Sequence, residues 1–91
     1  MHWLLLYELV DDYLERRVPF RPEHIGRVEA AHERGDLVMA GALADPSDRA
    51  VLVFRGEDGS AAEAFAQADP YVREGLVRSW QVRPWNVVIG A

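Results

Sequence analysis

Apolar and polar positions follow two different periods along this chain, and the changes of period mark its elements. Residues 3–9 form a short, nearly continuous run of large apolar and aromatic side chains, typical of a strand buried on both faces. Residues 37–40 and 50–54 are further apolar runs on either side of a turn-like segment, which predicts an antiparallel hairpin. A fourth strand is predicted over residues 79–89. Pro84 would lie there at a bulge or on a sheet edge, because proline cannot donate to a strand ladder.

Two segments carry the spacing of helices. The first is predicted over residues 22–34, where Pro22 suits the opening position and Gly35 suits the left-handed position after the last turn. Asp12 and Glu15 predict one short helical turn before it. The buried stripe of the long helix would consist of apolar residues at three-residue spacing, namely Ile25, Val28 and Ala31.

The second helix is rich in alanine. Ser60 and Glu63 form a capping-box pattern, so the helix is predicted to begin there and to run to about Ala68. Its buried side would consist of Ala61, Ala64, Phe65 and Ala68. Asp69 is predicted to cap one further turn that starts at Pro70.

The predicted order is strand, helix, strand, strand, helix, strand. This is the ferredoxin-like βαββαβ arrangement of the α+β class, with a four-stranded antiparallel sheet. Right-handed crossovers place both helices on one face of the sheet. The first and third strands are apolar on both faces, so the other face would expose an apolar patch that a soluble monomer does not tolerate. A second copy of the sheet is the simplest cover. We therefore expect a single domain over residues 1–91 that forms a homodimer or a larger homo-oligomer.

Composition narrows the classes of function. The formal net charge is −5 and no basic block occurs, which disfavours nucleic acids and anionic membranes as partners. The chain has no cysteine, which excludes disulfides, thiolate chemistry and cysteine-ligated metals. The apolar start is short, lacks a basic flank and reaches an acid at Glu8, so we expect neither a signal peptide nor a membrane span there. A cytoplasmic location is the default expectation.

His24 and Asp69 are the candidate catalytic residues. His24 lies in the first turn of the first long helix and borders its buried stripe, and histidine is the commonest general base near neutral pH. Asp69 follows an apolar helix and is fixed by the proline after it, so its carboxylate could bind the imidazole and orient it. The alternatives are a half-exposed surface histidine and an aspartate that only caps a turn. One carboxylate could do both.

Candidate binding residues are aromatic or basic. The aromatic side chains that could line a pocket for a ring or an acyl chain are Tyr7, Tyr71 and Trp80, although such residues are more often plain core. Arg16, Arg17 and Arg21 could steer an anion to the pocket, or they could simply be solvated. Of these, Arg21 is retained as a candidate because it flanks the start of the helix.

Neither a metal site nor a cofactor is predicted. His24 and His32 are eight residues apart, whereas two histidines on a helix share a metal at a spacing of three or four. The chain has no nucleophile-elbow pattern around a serine and no glycine-rich phosphate loop.

Several short motifs, in this order and spacing, resemble the YciI-like (YCII-related) domain family over essentially the whole chain. They are the residues at 21–25, 35–37, 41, 68–72 and 75–77, and the closing tryptophans. The resemblance implies a dimeric α+β barrel and a histidine–aspartate pair, which map here onto His24 and Asp69. Many relatives have Gly-Pro after the second strand, where this chain has Gly41-Ala42.

The resemblance also bears on function. Related members include dehydrochlorinases acting on chlorinated aromatics, and the muconolactone isomerase-like barrels share the architecture. We therefore expect a cofactor-independent enzyme in which the pair abstracts a proton, with elimination or isomerisation of an aromatic or acyl anion. The alternative is a non-catalytic dimeric module that binds a metabolite, and a lesser one is a structural dimer that binds only a protein partner.

Overall fold

The computed structural model describes residues 1–90. Strands and helical segments occur in it in the following order: β1 (His2–Leu9), α1 (Tyr13–Arg16), α2 (Arg21–Glu33), β2 (Leu37–Ala42), β3 (Arg49–Arg55), α3 (Ser60–Ala68), α4 (Pro70–Arg73) and β4 (Val77–Trp85).

The four strands form one antiparallel sheet in the order β2-β3-β1-β4. The first strand in the chain is therefore interior, and Tyr7 at its centre lies opposite Ala50 of β3 and Trp80 of β4. This is the ferredoxin-like topology, and the predicted fold class is confirmed. The interior position explains why β1 carries apolar residues toward both faces.

Alternation along β1 separates two faces. Leu5, Tyr7 and Leu9 are buried beneath the helices, and Tyr7 is 1% exposed. Leu4 and Leu6 point the other way and are only half-buried. Register brings further apolar residues to that second face, which we call the open face: Leu4, Leu6, Met39, Val51 and Val53. As predicted, helices cover one face of the sheet and leave an apolar surface on the other.

The ends of the long helix follow the predicted chemistry. Gly35, which follows the C-cap residue Arg34 of α2, adopts φ +86°. Its N–H donates to the carbonyl of His32, and the N–H of Asp36 donates to the carbonyl of Ala31, each at 3.1 Å. These two bonds form the Schellman motif, which requires a left-handed residue and therefore favours glycine. At the other end the helix begins at Arg21, so Pro22 occupies its second position.

Two predicted caps are wrong. Ser60 is the first residue of α3, with Gly59 as the N-cap, so the capping box does not form. Instead, Asp58 Oδ1 accepts from the backbone N–H of Ser60 at 2.9 Å. The Ser60 side chain first, and this N–H second, hold the pKa of Asp58 below its usual range. The helical turn expected after Asp12 does form, but the Asp12 side chain makes no capping bond.

The buried side of α3 also differs from the prediction. The buried residues are Ala62, Phe65 and Ala66, whereas Ala64 is exposed. Alanines lie on every side of this helix, so only Phe65 indicates which side faces the core. The sequence pattern therefore could not show which alanines next to Phe65 are buried. In β4, the strand starts at Val77 and ends at Trp85 instead of running from 79 to 89.

Pro84 lies within β4, and no strand pairs with β4 on its outer side. The strand pairs only with β1, so it is an edge strand, one of the two positions predicted for Pro84. The irregularity of this pairing falls between Glu8 and Leu9 instead. Beyond the strand, Val88 and Ile89 are each 91% exposed.

Candidate active site

Asp69 stands at the corner between α3 and α4. Its extended backbone, with φ −70° and ψ 126°, ends one helix, and Pro70 opens the next. Oδ1 accepts from the backbone N–H of Tyr71 at 3.0 Å, so Asp69 is the N-cap that the sequence predicts. Yet the residue is 0% exposed, which is unusual for a capping aspartate.

Two side chains from other elements reach the same carboxylate. From β1, Tyr7 Oη donates to Oδ2 at 2.6 Å. From α2, His24 Nδ1 lies 2.9 Å from Oδ1. With the N–H of Tyr71, Asp69 is therefore surrounded by groups from three parts of the chain. These contacts replace the water that a buried carboxylate loses, and burial of an acidic group is tolerated only with such compensation.

His24 is held on two sides. An ionised carboxylate can only accept, so Nδ1 donates to Asp69, which leaves Nε2 without a proton in the neutral ring. The imidazole stacks on the Tyr71 ring with centroids 3.8 Å apart and planes 9° apart, and the edge of Phe65 lies 6.2 Å away. The side chain is 13% exposed. The ring is thus fixed in orientation and tautomer, and Nε2 has no hydrogen-bond partner among residues 1–90.

A cleft of about 200 Å³ opens beside this ring. Its polar wall comes from α1, α2 and α4 and from the segment between the first two: Tyr13, Arg17, Arg21, His24 and Tyr71. Its apolar wall comes from α2 and the sheet and includes Ile25, Val28, Ala40 and Leu52. The volume is below the range typical for drug-sized ligands, so the cleft suits a small molecule.

The predicted site residues separate into two groups. His24, Asp69, Tyr7, Arg21 and Tyr71 are gathered in or directly behind the cleft. Trp80 is not. It lies on the edge strand β4 directly opposite Tyr7, so its side chain is on the helix-covered face, where it packs against the hydrophobic core. Trp80 is not among the residues that line the cleft.

Tyr7 donates a hydrogen bond to Asp69, a role that the sequence did not suggest. Its hydroxyl is engaged by Asp69 behind the cleft, and burial, together with the charge of Asp69, strongly raises the pKa of this phenol. Tyr7 thus remains a protonated donor. The alternation of β1 already places a tyrosine among buried leucines, and a buried hydroxyl needs a partner. That argument predicts an acceptor for Tyr7 but does not name it.

Tyr13 and Arg17 also line the cleft, although neither was retained as a candidate binding residue from the sequence. Arg17 lies with its guanidinium 5.2 Å from the centre of the Tyr13 ring, and both residues line the cleft. Their spacing of four residues is the only sequence feature that could have paired them. Arg16, by contrast, points elsewhere and donates to the carbonyl of Glu74. Gly41 and Ala42 line the cleft from the end of β2, so the departure from Gly-Pro falls on its wall.

Within residues 1–90, no group of three or more histidine, aspartate or glutamate side chains is arranged to hold a metal ion. Nor does this part of the chain contain a helix with the length and apolar character needed to traverse a bilayer.

Comparison with known proteins places this arrangement in a family. The family model of the YCII-related domain matches residues 1–86. The chain belongs to the YCII-related domain family. It is similar to protein YciI of Escherichia coli O6:H1, with 36% identity over 86 residues that cover 85% of this chain and 88% of the relative. An uncharacterised protein of Haemophilus influenzae is 27% identical over 97 residues, covering 97% and 99% of the two chains.

A solved structure supports the fold of this YCII-related protein. It is the 5-chloro-2-hydroxyhydroquinone dehydrochlorinase of Burkholderia phenoliruptrix AC1100 in complex with 2,5-dihydroxybenzoquinone. The TM-score is 0.77, and the alignment covers 94% of each chain at 17% sequence identity. At this identity the likeness concerns the fold alone.

Proposed function

We propose that this YCII-related protein is a small, cofactor-independent enzyme that moves a proton in the cleft beside His24. His24 acts as the general base and Asp69 orients it. The observation that supports this most directly is the 2.9 Å contact between His24 Nδ1 and the buried Oδ1 of Asp69 at the edge of a cleft. A base positioned in this way contributes roughly 10²- to 10⁴-fold to a rate.

The proposed step follows from the tautomer. Nε2 takes a proton from an acidic C–H of the substrate, and the C–H electron pair passes to the substrate. That pair then expels a leaving group from the adjacent carbon, which is elimination, or takes the proton back at another carbon, which is isomerisation. The imidazolium formed is stabilised by the Asp69 carboxylate and by the face of the Tyr71 ring.

The size of the cleft and the fold neighbour support a small ring or acyl compound as substrate. The neighbour is named as a dehydrochlorinase of a chlorinated hydroquinone, and loss of HCl is an elimination that a general base can start. Aromatic and apolar side chains on the cleft walls suit the faces of such a ring.

The proposal includes a homodimer formed through the open face. Leu4, Leu6, Met39, Val51 and Val53 form a continuous apolar surface in register on adjacent strands. Two copies related by a two-fold axis would cover it with the same residues on each side.

The test uses hydrogen exchange into solvent. With 2,5-dihydroxybenzoquinone in D₂O, the protein should accelerate exchange at the ring C–H. The ring carbon first gains a deuteron from solvent and then loses its proton to the base, with no leaving group. His24→Gln should lower the accelerated rate by about 100-fold or more. His32→Gln, at an exposed position on the same helix, should leave it unchanged. Equal rates for wild type and His24→Gln would eliminate His24 as the base.

The second candidate is a non-catalytic module that binds a metabolite. One observation favours it: two of the three bonds of Asp69 have structural purposes, namely capping α4 and satisfying Tyr7. The carboxylate would thus be present without any catalysis. Saturable binding of the quinone with no exchange above the buffer rate, in wild type as in His24→Gln, would identify the module.

A further inference from the structure

The Tyr71 hydroxyl is a polar group of the cleft that the proposed proton transfer does not use. The residue is 1% exposed, and Oη is fully buried without a hydrogen-bond partner. Buried hydroxyls in proteins are almost always bonded, so an unbonded one next to a cleft requires an explanation. Its ring is fixed between His24 and the edge of Tyr13, whose centroid is 5.6 Å away. The hydroxyl therefore cannot turn away to find solvent.

The basic groups nearest this hydroxyl cannot accept its proton. Arg21 and Arg17 lie close enough to oppose the effect of burial, which raises the pKa of Tyr71 to about 12. A guanidinium only donates hydrogen bonds, so even a direct contact with Arg21 would leave the Tyr71 O–H without an acceptor. The site thus has donors and positive charge but lacks the acceptor that would satisfy them.

Neither arginine of the cleft is paired with an acid. In residues 1–90, four of the ten arginines have a carboxylate within 4.0 Å, namely Arg16, Arg34, Arg73 and Arg78. Six do not, and of these only Arg17 and Arg21 line the cleft. The cleft therefore holds two guanidinium charges that no carboxylate neutralises.

We propose that Tyr71 Oη, Arg21 and Arg17 form a subsite for an anionic oxygen of the ligand, a carboxylate or a phenolate, beside the Nε2 of His24. This inference rests on the proposed function, because it names the charged group of the same substrate. The tyrosine donates to the oxygen, and the arginines neutralise its charge. The substrate would then present its acidic C–H to His24 while Tyr71 Oη holds its oxyanion.

The experiment measures binding of benzoate and of its neutral isostere benzamide by NMR titration. Wild type should bind benzoate at least tenfold more tightly than benzamide. Tyr71→Phe keeps the stacked ring and deletes only the donor, so benzoate affinity should fall by roughly 10- to 100-fold, the effect of one charge-assisted hydrogen bond. Arg21→Gln should reduce benzoate affinity and spare benzamide. Arg16→Gln carries the same charge change outside the cleft and should bind as wild type does.

A stability readout separates binding from a structural role. Since the Tyr71 hydroxyl has no partner, ligand-free Tyr71→Phe should melt at the same temperature as wild type or higher. Equal affinity for benzoate and benzamide, failure of benzoate to bind at millimolar concentration, or unchanged benzoate binding in Tyr71→Phe would overturn the subsite. If Tyr71→Phe melts lower, the hydroxyl is bonded within the protein and the inference is also wrong.

The two proposals fail in different ways. If benzoate binding depends on Tyr71 and Arg21 but His24→Gln does not slow quinone exchange, the subsite is right and the catalytic proposal is wrong. If exchange depends on His24 but benzoate binds no better than benzamide, the reverse holds.

Discussion

Replacing Tyr7 by phenylalanine should destabilise the wild-type protein but not the Asp69→Ala variant. In wild type, Tyr7 Oη donates to Asp69 Oδ2 at 2.6 Å, and Tyr7→Phe removes that bond while two other contacts remain at the carboxylate. A hydrogen bond to a charged group contributes about 1.5–3 kcal/mol, so Tyr7→Phe should lower the free energy of unfolding by that amount.

Asp69→Ala has a larger effect because it leaves two buried donors without a partner. These are the hydroxyl of Tyr7 and the backbone N–H of Tyr71, and each costs about 1–3 kcal/mol when unpaired. His24 is partly exposed and can turn toward water. The expected loss is about 2–6 kcal/mol, against a total of about 5–14 kcal/mol for a chain of this length.

In the Asp69→Ala background the hydroxyl of Tyr7 has no acceptor, so removing it relieves a cost. Tyr7→Phe should there be neutral or stabilising by up to about 3 kcal/mol, and the coupling energy of the double-mutant cycle should be about 1.5–6 kcal/mol. The assay is urea denaturation of the four proteins at one protein concentration, because self-association would make stability depend on concentration.

A milder background guards against complete unfolding of the alanine variant. Asp69→Asn keeps an oxygen for the N–H of Tyr71 and places an NH₂ where Oδ2 accepted from Tyr7, so the Tyr7 hydroxyl can only accept from it. A neutral hydrogen bond then replaces the charge-assisted one, and Tyr7→Phe should cost less in this background than in wild type. The reasoning is refuted if Tyr7→Phe lowers the free energy of unfolding equally in all three backgrounds.

Three further predictions concern glycines, pH and assembly. Gly59→Ala should lower the free energy of unfolding by about 1–3 kcal/mol, because the added Cβ would lie 2.9 Å from Val82 Cγ1. Gly26→Ala, where nothing lies within 4 Å in a helix interior, should raise it by about 0.5–1 kcal/mol. Urea denaturation measures both effects. Burial raises the pKa of Tyr71 from 10.0 to about 12, so the phenol ionises more readily in the unfolded chain, and the free energy of unfolding should fall as pH rises from 10.0 toward 12. The fall should be smaller in Tyr71→Phe, and identical slopes would contradict the shift. Leu6→Glu on the open face should convert the proposed dimer into a monomer, as measured by analytical ultracentrifugation. Leu14→Glu, at an exposed position on α1, should leave the dimer intact. A monomeric wild type would refute the proposed assembly.

Local chemistry made much of the fold predictable from the sequence. The apolar run of β1 and the left-handed Gly35 each act within a few residues, and the observed structure follows them. The prediction failed where short-range rules compete. Ser60 lost the N-cap position because Asp58, two residues earlier, supplies the acceptor for its N–H. The alanines of α3 carry too little hydrophobic contrast to fix which flank of Phe65 is buried.

The site was harder to predict because its bonds are long-range. Tyr7 and Asp69 are 62 residues apart, and His24 and Asp69 are 45 apart. Periodicity can say that Tyr7 faces inward and that Asp69 caps a turn, but it cannot say that they meet. Their meeting depends on β1 being interior to the sheet, so that its centre passes beneath the corner between α3 and α4. For His24 and Asp69, family resemblance supplied the pairing that residue patterns left open.

The triple duty of Asp69 has a consequence for how such proteins diverge. If the proposed catalysis is right, a descendant that lost it would still need the aspartate, because Asp69 caps α4 and accepts from the buried Tyr7 hydroxyl. His24 makes one hydrogen bond and is partly exposed, so folding depends on it less. Among homologues we therefore expect the aspartate to be retained for folding, and the histidine to be replaced where the proposed turnover is not selected.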